Sequence, residues 1–125
     1  MNKLEIAASS STPKVVFDPS EGVFKIEGRA IPENPSEFFN EPVVWLKEYF
    51  KDPLPLTILA INLEYVNSGS AKYLLTLFRV LREATLRGHK IEITWYFEED
   101  DEAIESLGEH YKTTSGIPFR LVQYI

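Results

Sequence analysis

Asn67-Ser68-Gly69-Ser70 places a carboxamide and two hydroxyls within four residues. Upstream, Leu56 to Ile61 is apolar at odd and even positions alike, the pattern of a central strand buried on both faces. Downstream, Ala71, Leu74, Leu75, Phe78 and Leu81 recur at helical spacing in a segment that runs to Arg87. The turn therefore joins a strand end to a helix start, where free backbone N–H groups and the helix dipole favour negative charge. Three roles suit small polar residues there. Asn67 or a serine can cap the helix. A serine can carry a covalent phosphate, which adds about two negative charges and changes a surface that a partner reads. Or the turn can hold an anionic small molecule without any covalent step.

Other candidate groups carry less. The acidic run Glu98-Glu99-Asp100-Asp101-Glu102 lacks the alternating spacing and the glycine of a calcium loop, and acids in a first helical turn complement its dipole. His89 lies in a polar turn and His110 late in a helix, neither with a catalytic companion in sequence. No phosphate-binding glycine loop, nucleophile elbow or metalloprotease pair occurs, so no catalytic residue, metal or cofactor is expected. The helix after the serine turn carries Lys72, Thr76, Arg79, Arg82 and Glu83 on its polar side. A partly basic face is unusual in so acidic a chain, and can border a docking surface for an acidic partner.

The elements that must position this turn read in order. Residues 1–11 form a flexible tail or a weak edge strand, with Ser9-Ser10-Ser11 favouring the tail, and residues 12–125 form one domain. Lys14 to Asp18 and Val23 to Gly28 flank a turn-rich segment and read as a β-hairpin. Asn34, Pro35 and Glu37 open a first helix running to about Phe50, with Pro42 expected to kink it or to mark a restart capped by Asn40. The second helix ends at Gly88. Ile91 to Phe97 alternates as a strand, Asp101 to about Lys112 is a third helix, and Phe119 to Tyr124 closes the chain as a strand. Strands separated by helices predict an α/β fold with a mixed, mostly parallel sheet, an N-terminal hairpin and about three helices.

Composition sets the outer limits. A chain of 125 residues with 44% apolar content can bury a real core. The formal charge of -6 argues against nucleic acid and against an anionic membrane surface. The absence of cysteine removes disulfides, thiolate catalysis and most zinc sites. Met1 to Ser11 has no long apolar run, so membrane insertion is not expected and a cytoplasmic location is.

Several segments together carry a family resemblance. They are Thr12-Pro13, Gly28-Arg29-Ala30-Ile31-Pro32-Glu33-Asn34-Pro35, Trp45-Leu46, Leu63 to Ser70, Trp95 to Asp101 and Pro118-Phe119. In this order, across nearly the whole chain, they resemble the SiaC family of regulatory phosphoproteins, itself similar to anti-sigma-factor antagonists of STAS type. The resemblance implies a non-enzymatic STAS-like domain in a partner-switching pathway. It implies a dedicated Ser/Thr kinase, a PP2C-type phosphatase, and an output protein, in well-known members a diguanylate cyclase, bound by the unphosphorylated form. The family's acceptor is a threonine in an Asn-Thr-Ser-Ser turn, and its place here is taken by Ser68, with Ser70 as the alternative. Gly69 replaces a serine, which is expected to loosen the turn. Asn67, Gly69, Ser70, Lys72, Tyr73 and Arg79 are the expected partner-binding residues around Ser68.

Overall fold

The computed structural model describes residues 1–125. In chain order it forms β1 (Leu4–Ile6), β2 (Lys14–Phe17), β3 (Val23–Ala30), α1 (Pro35–Tyr49), β4 (Leu56–Val66), α2 (Ser68–Leu86), β5 (Lys90–Glu98), α3 (Glu102–Thr114) and β6 (Phe119–Tyr124). The strands lie side by side in sequence order. The pairs β1–β2 and β2–β3 are antiparallel, and β3–β4, β4–β5 and β5–β6 are parallel. The α/β class, the hairpin, the mixed sheet and the three helices agree with the expectation from sequence.

Each parallel crossover steps one strand in the same direction. Right-handed connections then put every helix on the same face of the sheet, and contacts from two of the helices bear this out. From α1, Tyr49 Oη lies 2.8 Å from Thr57 Oγ1 of β4. Trp95 Nε1 of β5 donates to the Ile104 carbonyl of α3 at 3.0 Å. Beneath this helical layer Thr57, Leu59, Ile61 and Leu63 are buried. The opposite face carries no helix, and there Ile58, Ala60 and Asn62 are only half-buried. The expectation that Leu56 to Ile61 is buried on both faces is therefore corrected. A continuous apolar run cannot report that all crossovers fall on one side.

Two aromatic clusters fill the core between the layers. Phe17 and Phe24 meet Trp45 and Tyr49 of α1, with Phe24 and Tyr49 edge to face at 4.8 Å. At the other end Trp95 and Phe78 pack on Tyr111 at 5.5 and 4.9 Å. Helix α3 comes close to the sheet because Gly108 has no side chain: a Cβ there would overlap the Trp95 indole.

Local signals explain the helix limits. Asn34 Oδ1 accepts from the Glu37 amide, and Pro35 occupies the first helical position. The helix continues through Pro42 to Tyr49 without a restart at Asn40, held by the burial of Phe39, Val43, Leu46 and Tyr49. Asp101 caps α3 through the Ile104 amide at 3.0 Å. Gly88, just beyond α2, takes the positive φ of 99° that ends a helix. At the N-terminus, Leu4–Ile6 pairs with Val15–Phe17 and buries Leu4, so for these three residues the tail reading gives way to the edge strand.

Candidate functional site

Because α1, α2 and α3 each follow a parallel strand, their N-termini all open at one edge of the sheet, where the strands' carboxyl ends lie. This edge is the usual ligand side of such sheets. The first turn of α1 holds Glu37, and that of α3 holds Glu102 and Glu105. The first turn of α2 holds no acid. Its positive end is thus the one without a negative side chain of its own.

Asn67 fixes this end. Its backbone N–H donates to Ala30 O at 3.0 Å, its Nδ2 to Pro32 O at 3.0 Å, and its Oδ1 accepts from the Ser70 amide at 2.9 Å. One side chain thereby caps α2 and ties it to the exit of β3. Ser68 follows as the first helical residue and is exposed. Ser70, two positions on, is fully buried, and its Oγ has no hydrogen-bond partner. Two helical residues are about 200° apart around the axis, so the serines face opposite ways. The sequence held this signal: Ser68 stands four residues before Lys72, and Ser70 four before Leu74 of the apolar stripe. Gly69 is half-buried at this turn. It lies against the Pro35 ring, in a place where a Cβ would be 2.6 Å from Pro35 Cγ.

Lys72 and Arg79 are exposed on the Ser68 side of α2. The ion pairs of the protein are Lys3–Glu5, Arg29–Glu64 and Glu48–Lys51, so neither cation is neutralised by a carboxylate. Tyr73 is turned towards α1, where its half-buried ring stacks on Phe39 at 6.0 Å. Arg82 leaves the free face and donates to Gly116 O at 2.7 Å. The expected surface is therefore an exposed stripe of Ser68, Lys72 and Arg79, with Asn67 and Gly69 framing it and Ser70 beneath.

Next to the stripe lies a feature that sequence reasoning missed. A bulge between Gly28 and Arg29 shifts the β3–β4 register, so that Arg29 pairs with Tyr65. The Arg29 guanidinium lies 5.5 Å from the centre of the Tyr65 ring, and its Nε is 3.2 Å from Glu64 Oε2. These residues are far apart in the chain, and no spacing rule joins them. The remaining candidates stay apart: His89 is near Phe50, and His110 is exposed on α3. No three His, Asp or Glu side chains converge as metal ligands. No helix is long and apolar enough to cross a membrane.

Comparison with known proteins gives the same shape and one family. The model of the SiaC family regulatory phosphoprotein matches residues 6–124. A Pseudomonas aeruginosa (strain UCBPP-PA14) protein described only as uncharacterized is 26% identical over 121 residues, covering 97% of this chain and 96% of that protein. The structure of SiaC of Pseudomonas aeruginosa superposes with a TM-score of 0.92 at 25% identity, over 99% of this chain and 100% of the other. A chain in the crystal structure of the diguanylate cyclase SiaD with its activator SiaC, from the same organism, gives a TM-score of 0.91 at 26% identity, over 97% and 99%.

Proposed function

The chain belongs to the SiaC family of regulatory phosphoproteins, and we propose that Ser68 is its phosphoacceptor and its switch. In this reading a Ser/Thr kinase supplies ATP, the Ser68 Oγ attacks the γ-phosphorus, and ADP leaves. The hydroxyl proton passes to a base of the kinase. A PP2C-type phosphatase later hydrolyses the ester with water, restoring the hydroxyl and releasing inorganic phosphate. The unphosphorylated domain binds and regulates an output protein, a diguanylate cyclase, in the cytoplasm. The domain itself is a regulatory protein and not a catalyst.

The observation that carries this reading is the contrast between the two serines. Ser68 is exposed at the first position of α2, while Ser70 is fully buried at the third. A kinase needs the acceptor hydroxyl within reach of a phosphoryl group, which only Ser68 offers without local unfolding. The missing acid in the first turn of α2 is a second support, since a phosphate there meets the helix dipole favourably. The existence of a complex between SiaD and its activator SiaC supports the choice of output protein. The alternative, an anionic small molecule at the turn, has less behind it. The hollow lined by Val66, next to the turn, is mainly apolar and bears Glu64 and Asp101, which disfavours an anion. Phosphopeptide mapping after incubation with the cognate kinase tests the reading. Modification at Ser68 is expected; modification that persists in Ser68→Ala would refute it.

A further inference from the structure

A cleft of about 510 Å³ opens at the edge of the sheet between the ends of β3 and β4 and the first turns of α3. Its apolar wall is Ile31, Tyr65, Val66, Ala103, Ile104 and Leu107. Two rim residues, Ile31 and Tyr65, are among the large apolar side chains that this protein leaves exposed, Tyr65 by 56%. Val66 and Asn67 join the wall directly to Ser68, so cleft and switch form one surface. A second hollow, of about 300 Å³, continues it along Glu64 and Tyr65 to Glu98, Asp101 and Tyr124. Of the charged residues lining the two, Glu64, Glu98 and Asp101 are acids. The one cation, Arg29, is engaged by Glu64 and Tyr65. The negative potential registers on Tyr124, whose hydroxyl donates to Asn62 at 3.0 Å. Burial first, then the charge of Glu98 and more weakly of Glu64 and Asp101, hold that hydroxyl above the usual tyrosine range.

Resting on the reading of Ser68 as a partner switch, we propose that this cleft is the anchor site for the output protein, taking a large apolar side chain with a lysine or arginine beside it that reaches the Glu64–Glu98–Asp101 hollow. Charge fixes the occupant. An apolar wall beside Glu98 and Asp101, neither of which is ion-paired, rewards an apolar anchor next to a cation and rejects an acidic segment. Desolvated apolar anchors in pockets carry most of the affinity of protein interfaces. On the other flank, Lys72 and Arg79 await acidic groups of the same partner, so the surface is bipolar and admits one orientation. A phosphate on Ser68 stands between the two flanks, where a seated partner must strip it of water.

The test uses the full chain and a purified diguanylate cyclase from the same organism. Ala103→Trp fills the cleft from an exposed helix position, and Tyr65→Ser removes the rim ring without touching the core. Each is expected to weaken binding about tenfold or more, while the kinase still phosphorylates Ser68 and the melting temperature stays near wild type. Glu98→Lys is expected to weaken binding several-fold at low salt, with the difference closing as salt screens the hollow. If both cleft variants bind like wild type while phosphate on Ser68 still abolishes binding, the cleft is overturned and the switch stands. If cleft variants lose binding but phosphate has no effect, the switch falls and the anchor stands. Wild-type affinity in Glu98→Lys at low salt overturns the cationic neighbour. No binding of a cyclase by the wild-type chain overturns both.

Discussion

Pro35 and Gly69 meet where the first turns of α1 and α2 touch, so closely that a Cβ on Gly69 would lie 2.6 Å from Pro35 Cγ. The contact joins the two helix starts directly, beside the Asn67 bond to Pro32. It holds the residue next to Ser68 in place from outside, which fixes the position of the Ser68 hydroxyl.

Gly69→Ala is therefore expected to destabilise the domain although alanine is the better helix former. The overlap with a stiff ring costs about 1–3 kcal/mol, against a propensity gain of at most about 1 kcal/mol. Pro35→Ala should relieve the overlap. Chemical denaturation of both single variants and the double variant measures the coupling, expected at about 1 kcal/mol or more; strict additivity would mean that the two helices part freely.

Ser70→Ala should behave in the opposite way to an ordinary buried deletion. It removes a hydroxyl that is fully buried without a partner, so stability is expected to stay level or to rise by up to about 1 kcal/mol. Phosphate incorporation by the kinase should be unchanged in this variant and absent in Ser68→Ala. Marked destabilisation of Ser70→Ala in a urea titration would reveal a partner for Oγ and reopen its role.

Much of this was legible in the chain, and the losses have physical causes. The turn, its Asn67 cap and the order of elements follow from local patterns that span a few residues each. The one-sided helical layer does not, because the apolar run of β4 is the same whether one or both faces are covered; only the strand order decides it. The cleft is harder still. Arg29 reaches Tyr65 and Glu64 through a bulge at Gly28, and Asp101 and Ala103 arrive from a third element. Such a surface exists only in the assembled fold. The opposite phases of Ser68 and Ser70 were readable from helical geometry, through the neighbours Lys72 and Leu74.

Tyr111 links α3 to the start of α2, its hydroxyl donating to Ala71 O at 2.8 Å. Burial raises its pKa well above the ordinary value of 10.0. The folded state thus resists an ionisation that the unfolded state undergoes. The contribution is complete below about pH 10 and is lost progressively as pH rises above it towards the folded pKa. Stability measured by denaturant between pH 9 and about 11 should decline in wild type and more shallowly in Tyr111→Phe. At neutral pH that variant is expected to lose about 1 kcal/mol for the missing hydrogen bond. Parallel alkaline declines in the two proteins would place the titration elsewhere.

Phosphorylation itself should leave the fold intact. A phosphate at the first position of α2 gains from a helix end that has no acid of its own, by about 0.3–1 kcal/mol at low salt. Ser68→Asp and the phosphoprotein should accordingly melt within a few degrees of wild type. The effect on the partner is direct instead. A dianion in the interface has to be dehydrated against the seated protein, and it competes with that protein for Lys72 and Arg79. The partner's acidic groups, aimed at exposed Lys72 and Arg79, then meet like charge. Calorimetric titration of the cyclase should give equal affinity for wild type and Ser68→Ala, and at least several-fold weaker binding for Ser68→Asp. Binding of the authentic phosphoprotein should be lost. Replacing Lys72 and Arg79 together by glutamate should also weaken binding, more at low salt than at high, because exposed charges separated from a partner by solvent are screened. One charge imitates a phosphate poorly, so the phosphoprotein decides the matter: equal affinity in that form would end the idea that Ser68 controls this surface.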